Sequence, residues 1–587
     1  MKLRASPHST LLLSVFDRIL LSKTKEAAHL YLTLKCKVMN VAVLADPQLV
    51  AICVIAGLVS MLTTLNVAAR PAAVRTSRVM LAFSVGGFFF LLTRFANLFY
   101  APLMARFVDA AEKSGNLGLL SDQISWVLLG SALGGVVSWA LLPTFVELYG
   151  KSIYCLEYRG TFLGMAPRLV ARQAWGRAWD SLRAPGTLGV KPFQLGRVPA
   201  GFLLINVLAT AVWSVGVLAS LLVSAQHPEM AQTAVLLSGL VNAFAAISFS
   251  LWVDPKAALI TDQAIKGVRP HRDVDIATAH LALGNMAGGF LGFLFFKPAV
   301  CLISLAGKGL AAQGNDMSRH LWIVVGLNLL FALLVSTTYV SRISAVRTKK
   351  VAMAVAVYNL FFLVARLGQQ ALGPLLGSIS DFFAQNQLSE EQLSILFRKV
   401  LLGATLGTVM ALLLLPTMVA VYDVTIERVE RRGSLFGVLL GALNPFHWTA
   451  VARCLRRPSL FGLRLEDLHR IPKFLVVANL LVVAVHSVGV VSSVYAGFAL
   501  PELKRTACLL SSVINGLATV TLALAVEPTV SLITEEVLQG KRSRRDVYAL
   551  AVLLTSGMLL GTLLSQLLLE PAKEFVVLAA KIFAALF

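Results

Sequence analysis

Charge is scarce in this chain. Asp, Glu, Lys and Arg make up 14% of its 587 residues, 57% are hydrophobic, and mean hydropathy is +0.77. Soluble globular domains carry about 25% charged residues, so this balance excludes a soluble protein and leaves one embedded in a membrane. Cysteine is equally sparse. The six present (Cys36, Cys53, Cys155, Cys301, Cys454, Cys508) have no paired spacing, which excludes a disulfide framework and a zinc ribbon. Nine histidines are scattered without metal-ligand spacing, so no metal is expected. A phosphate-binding glycine loop and a nucleophile elbow are missing too, which leaves ATP hydrolysis and proteolysis without residues to perform them and implies no cofactor.

Long apolar runs are what the chain does have. About twelve are long enough to cross a hydrocarbon core of roughly 30 Å. They fall near 47–69, 79–104, 123–148, 200–225, 232–253 and 277–305, then near 321–341, 351–376, 397–422, 473–499, 505–526 and 547–569. The runs are continuously apolar rather than alternating, so helices are expected and not barrel strands.

The two halves repeat one another. Ala73–Thr76 (Ala-Val-Arg-Thr) recurs at Ala345–Thr348, an offset of 272 residues that also pairs Arg70 with Arg342, Arg94 with Arg366, Pro102 with Pro374 and Asp109 with Asp381. One residue is then inserted. At an offset of 273, Leu141–Thr144 meets Leu414–Thr417, Asn206 meets Asn479, Pro228 meets Pro501, Asp254-Pro255 meets Glu527-Pro528, and Asp262 meets Glu535. A register kept over so many charges and prolines reports duplication. The expected architecture is therefore an all-α integral membrane protein of about twelve transmembrane helices in two six-helix repeats, 46–311 and 318–587. Six is even, so both copies enter the membrane in the same sense and the repeat is parallel.

Loops after the first, third and fifth helix of each copy hold most of the Lys and Arg, including Arg75, Arg78, Arg168, Arg172, Lys266 and Arg272, then Arg347, Lys350, Arg431, Arg453, Lys541 and Arg545. The positive-inside rule makes those loops cytoplasmic and places the repeat termini outside. The formal charge of +22 then reflects an anionic membrane face and calls for no nucleic acid. Residues 1–45 form a basic extension at odds with an external terminus. We read Met39 as the true start, with a surface-lying amphipathic helix over 1–38 as the alternative. The charged segments 151–197 and 424–472, with Trp175, Trp179, Phe446 and Trp448 among arginines, read as interfacial helices.

A charge at membrane depth is expensive unless it is paired, hydrated or used. Arg94 and Arg366 lie about 15 residues into their spans and lead the candidates, either as substrate ligands or as ion pairs locking two helices. Asp254 and Glu527, with Asp262 and Glu535 eight positions on, are partners, polar liners or helix caps. Arg75 and Arg347 are positive-inside anchors or phosphate ligands, a role suited to the guanidinium fork. Asp109 and Asp381 close the second helix of each copy.

These residues carry a resemblance. Arg70, Val74-Arg75-Thr76, Arg78, and the pattern Arg94, Asn97, Ala101-Pro102-Leu103, Val108-Asp109 resemble the Amj-type lipid II flippase family, as do Leu142-Pro143-Thr144-Phe145 and Asp254-Pro255-Lys256 with Asp262. Each motif alone is weak, but together they cover nearly all of a repeat, so the chain looks like a fused, double-length form of a six-span protein. The resemblance implies a bacterial cytoplasmic-membrane protein that moves the undecaprenyl-pyrophosphate-linked peptidoglycan precursor to the outer leaflet, beside the cell-wall synthesis machinery. Thr63 and Val335 stand where the family carries an acidic residue. The second copy departs further, with Gln369 for Asn97 and Gly373 for Ala101.

The mechanism expected from this reading is a polar groove between two bundles. Arg75, Arg78, Arg94 and Asn97, with Arg347, Lys350 and Arg366, would meet the pyrophosphate while the prenyl tail stays in lipid. Asp109, Asp254, Asp262, Asp381, Glu527 and Glu535 would contact the headgroup or carry coupling protons. Three alternatives stand beside it: another polyprenyl-linked or lipid substrate, a membrane enzyme acting on polyprenyl phosphates, and a non-transporting envelope scaffold.

Overall fold

The computed structural model describes residues 41–159, 180–184, 188, 200–265, 267–313, 317–432, 449, 452–522 and 526–586. The basic extension before residue 41, most of the segment 151–197 and the middle of the segment 424–472, with Trp175, Trp179, Phe446 and Trp448 included, lie outside the described residues.

Among the described residues each repeat forms six helical rods, several of them broken. In the first copy the rods are α1 (Pro47–Leu65) continued by α2 (Ala69–Thr76), α3 (Val79–Ser114), α4 (Leu117–Arg159), α5 (Ala200–Gln226), α6 (Ala231–Ser248) continued by α7 (Asp254–Ile265), and α8 (His271–Gln313). The second copy begins with α9 (Met317–Ser336) and α10 (Val340–Thr348), then α11 (Val351–Gln385), α12 (Glu390–Leu413) with α13 (Leu415–Arg432), and the short α14 (Leu465–His469). It closes with α15 (Lys473–Ala499), the broken rod α16 (Lys504–Leu509), α17 (Ser511–Thr521) and α18 (Glu527–Leu538), and α19 (Arg544–Leu586).

Ten helices among the described residues are long and apolar enough to cross a membrane. The two other expected spans are not among them. Span 79–104 lies in α3, where many side chains fall outside the described residues. Span 505–526 is divided, because its rod breaks between α16, α17 and α18. Large apolar side chains stay exposed along the rods, among them Phe244, Trp322, Leu294 and Leu567. Such a surface is a liability in water and the expected exterior in lipid.

Close packing is built from small residues, and it is built twice. A Cβ added to Gly134 on α4 would lie 2.1 Å from the Gly57 carbonyl oxygen on α1, and one added to Gly407 on α12 would lie 2.2 Å from the Leu329 carbonyl oxygen on α9. Backbones approach this closely only where a side chain is absent, the usual device for helix association in lipid. Asn206 and Asn479 repeat a second contact, each donating its amide to a carbonyl on the last rod of its copy, Leu281 at 3.0 Å and Leu554 at 2.9 Å.

The helix breaks are duplicated as well. Rod one changes to a 3₁₀ turn at Asn66–Ala68 and again at Thr337–Tyr339. In the first copy Pro71, near the start of α2, lacks the N–H that would close the preceding α-turn. Rod five passes through a π-helical turn, Phe249–Val253, just before Asp254-Pro255, and the missing N–H of Pro255 frees the carbonyl one turn back. Turns of this kind recur at functional positions in helices.

The copies meet by exchange. Rod two of each lies against rod five of the other, α11 on α6 and α3 on α16 and α17. The C-termini of α3 and α11 and the N-termini of both fifth rods gather at one end of the molecule, so the two repeats run parallel. The opposite end carries the described basic turns, with Arg75 beside Asp275 and Arg347 beside Asp423.

Candidate functional site: paired arginines at the helix breaks

Each repeat places an arginine at the break of rod one against a carboxylate at the break of rod five. Arg70, the second residue of α2, holds Asp254 at the start of α7 at 3.0 Å. Arg342 holds Glu527, the first residue of α18, at 3.3 Å. The arginines are the more buried partners, 14% and 22% exposed against 47% and 37% for the carboxylates. The Arg342 guanidinium also lies 6.0 Å from the Tyr358 ring centre, within cation–π range.

A guanidinium stays charged in any protein setting and presents its N–H groups in a planar fork. Arg70 uses only part of that fork. Its Nη2 reaches Asp254, while Nη1 is buried with no hydrogen-bond partner among the described residues. A buried charged donor without a partner costs about 1–3 kcal/mol or more, and an anionic oxygen is the ligand that would satisfy it. The carboxylate, being more exposed, is the partner that can be displaced. Chemically, the pair can exchange an internal anion for an external one.

The residues singled out from the sequence are distributed differently. Arg75 at the end of α2 pairs with Asp275 on α8 at 3.0 Å, and Arg347 pairs with Asp423 on α13 at 3.1 Å. Burial pushes the Asp423 carboxyl up, opposed by Ser344 and Arg347. Both pairs remain within one repeat, at the basic end. Arg78 and Lys350 are the residues that precede α3 and α11. Asn97 is half-buried on α3 and Glu535 is exposed, its carboxylate accepting from Gln539 at 2.9 Å. Arg94, Arg366 and Asp262 sit on described helix backbone, but their side chains lie outside the described residues.

Asp109 and Asp381 form the joint between the copies. Asp381 is buried and accepts from the backbone N–H groups of Gln232 and Thr233 at 3.1 and 2.8 Å and from the Thr233 hydroxyl at 2.6 Å, capping α6. Asp109 does the same for α16, accepting from Thr506 N–H at 3.3 Å and its hydroxyl at 2.8 Å. An aspartate at a helix N-terminus satisfies orphan amides and meets the positive end of the helix dipole. Beside Asp109 lies Arg505, wholly buried. It donates to Asp109 at 3.0 Å, to the Ser224 hydroxyl at 2.9 Å, to the Ser224 carbonyl at 2.7 Å, and to Glu112.

Sequence reasoning matched Arg70 with Arg342 through the repeat but left them out of the site, because their depth depends on where rod one breaks. Arg505 and Lys504 were missed altogether, since no residue of the first copy matches them in charge: Gln232 and Ala231 stand at those positions. Among the described residues no cluster of three or more His, Cys, Asp or Glu could hold a metal ion.

Comparison with known proteins reproduces the duplication. The family model described as "Amj: Alternate to MurJ" matches twice, over residues 55–306 and 327–580. A curated relative, the lipid II flippase Amj of Bacillus subtilis (strain 168), is 32% identical over 248 residues, which is 42% of this chain and 91% of the relative. No solved structure matches. One copy of the family unit thus accounts for nearly the whole of that relative, and this chain belongs to the Amj family with two such units in one polypeptide.

Proposed function

We infer that this protein is a lipid II flippase, a transporter and not an enzyme, which moves the polyprenyl-pyrophosphate-linked precursor from the cytoplasmic to the outer leaflet of a bacterial cytoplasmic membrane. The observation that carries the reading is the double match to the Amj family, each match reaching all six rods of a unit. Carrying a pyrophosphate and its polar headgroup through hydrocarbon would strip their hydration, at a cost of many kcal/mol. Fixed cations in the protein replace that water.

Arg70 and Arg342 are the first pyrophosphate ligands we assign, with the unused Nη1 of Arg70 as support. Arg75, Arg78, Arg94 and Asn97, with Arg347, Lys350 and Arg366, are assigned to the same path, leading from the basic loops inward. Arriving phosphate oxygens displace Asp254 and Glu527, which then take up headgroup amides or protons. The broken rods supply backbone that can shift without unwinding a whole span. The basic end is assigned to the cytoplasm by the positive-inside rule, so the Asp109–Asp381 end faces outward and the copies rock about that joint. Work beside the cell-wall synthesis machinery follows from this substrate.

The test is survival of bacteria depleted of their other lipid II flippases, with membrane insertion of each variant checked. Rescue by the native chain and its loss in Arg70→Gln/Arg342→Gln is expected. Rescue by the double variant at native level refutes the assignment of these arginines, and failure of a correctly inserted native chain refutes the substrate.

A further inference from the structure

The joint between the copies is duplicated in its aspartates and unequal in what surrounds them. Next to Asp381 opens a cleft of about 230 Å³, lined by Asp381, Ala384, Gly497 and Gln232, and also by Glu229 and Lys504. The first four are the repeat equivalents of Asp109, Glu112, Ser224 and Arg505. Asp109, Glu112 and Ser224 are the very groups that hold the buried guanidinium of Arg505. The cleft is therefore the counterpart of the Arg505 site. The shorter side chain of Gln232 takes the place of the arginine, and Ala384 takes the place of Glu112.

We propose that this cleft binds an ammonium or guanidinium group supplied from outside the chain, in the place that Arg505 fills from within on the other side of the joint. Asp381 is 7% exposed and its hydrogen bonds all come from the first residues of α6. Among the described residues it has no ion-pair partner. A buried carboxylate with no cation in contact is costly; Lys504 acts on Asp381 only from a distance, and Arg505 shows how the same carboxylate is neutralised by direct contact in the other copy. Lys504 lines the cleft, but its Nζ is engaged by Glu112 at 3.5 Å and the Pro228 carbonyl at 3.3 Å. Glu229, the other charged lining residue, is in hydrogen-bond contact with His227 Nδ1 at 3.0 Å. The cleft thus keeps a buried carboxylate and open volume at the position where the other copy places the Arg505 guanidinium. Under the orientation proposed above it opens at the outer face, where both a lipid-borne amine and a soluble cation have access.

The experiment is thermal unfolding of the full chain, purified in detergent, titrated with methylguanidinium chloride against sodium chloride at equal ionic strength. Saturation should raise the Tm by about 1–3 °C. Gln232→Arg, which supplies the guanidinium internally, should raise the unliganded Tm and abolish the response. Asp381→Asn should abolish the response without that rise, and serves if Gln232→Arg fails to fold. Absence of a response in the native chain, or an equal one in Asp381→Asn, overturns the proposal. Vesicles of phosphatidylethanolamine compared with phosphatidylcholine then identify the source. A Tm difference between them that Gln232→Arg removes assigns the lipid headgroup, and methylguanidinium stabilisation without it assigns a soluble cation. All of these are binding readouts, so they stand apart from success or failure of lipid II flipping.

Discussion

Arg70 and Asp254 meet at 3.0 Å although 184 residues separate them in the chain, and the meeting is repeated by Arg342 and Glu527. A contact kept in both copies, at the two places where rods break, joins the segments most able to shift. We propose that the charge pair holds a hinge closed and that a competing anion releases it.

Asp254→Asn should destabilise more than Arg70→Gln, because it leaves the more buried partner, a guanidinium, without its counter-ion. Solvent reaches Asp254, which reduces the loss to about 1–2 kcal/mol. Arg70→Gln/Asp254→Asn should recover much of that loss and still fail to flip substrate. Thermal unfolding and a reconstituted flipping assay measure the two quantities separately, and a double variant with native flipping sinks the idea.

The two joint aspartates should differ in cost. Asp109→Ala strips a carboxylate from wholly buried Arg505 and should cost about 3–5 kcal/mol, whereas Asp381→Ala loses a helix cap worth about 1–2 kcal/mol. Adding Arg505→Gln should rescue Asp109→Ala, since it restores the residue found in the first copy. Equal melting losses for the two alanine variants would contradict this account.

Acid should loosen the same joint. Burial alone would raise the Glu112 carboxyl, but Arg505 and Lys504 outweigh it and hold the group below its ordinary value. The stabilisation is therefore present above the ordinary glutamate range, about pH 4.3, and is lost as pH falls through the lowered value. A pH series of melting curves should show a steeper acid decline in the native chain than in Glu112→Gln.

Gly134→Val should block assembly of α1 with α4, because its Cβ would fall 2.1 Å from the Gly57 carbonyl oxygen, whereas Gly309→Ala, with nothing within 4 Å of the new Cβ, should behave as native. Yield of monodisperse protein on size exclusion reads the difference. Normal recovery of Gly134→Val would show that these backbones can separate.

Much of the architecture is written in the chain's own register. Long apolar runs announce the rods, and offsets of 272 and 273 residues announce the duplication, since periodicity and spacing are local properties. Pairing is not local. Asp254 reads from sequence as a partner for some cation, but choosing Arg70 needs the 3₁₀ turn at Asn66–Ala68 that sets the height of α2. Asp109 and Asp381 read as ends of a helix. Their place across the joint could have been suspected only by noticing that Thr233 and Thr506 are duplicated too, each just after a proline, Pro228 or Pro501.

The reciprocal caps have a consequence for how the chain could change over time. A single six-rod unit carries both the aspartate and the helix end that receives it, so two identical units can clasp each other only by making the same contact twice, and any substitution there alters both at once. Fusing the units into one polypeptide lifts that restriction. One clasp could acquire Arg505 and become sealed while the other kept Gln232 and stayed open, a division that no pair of identical subunits can encode.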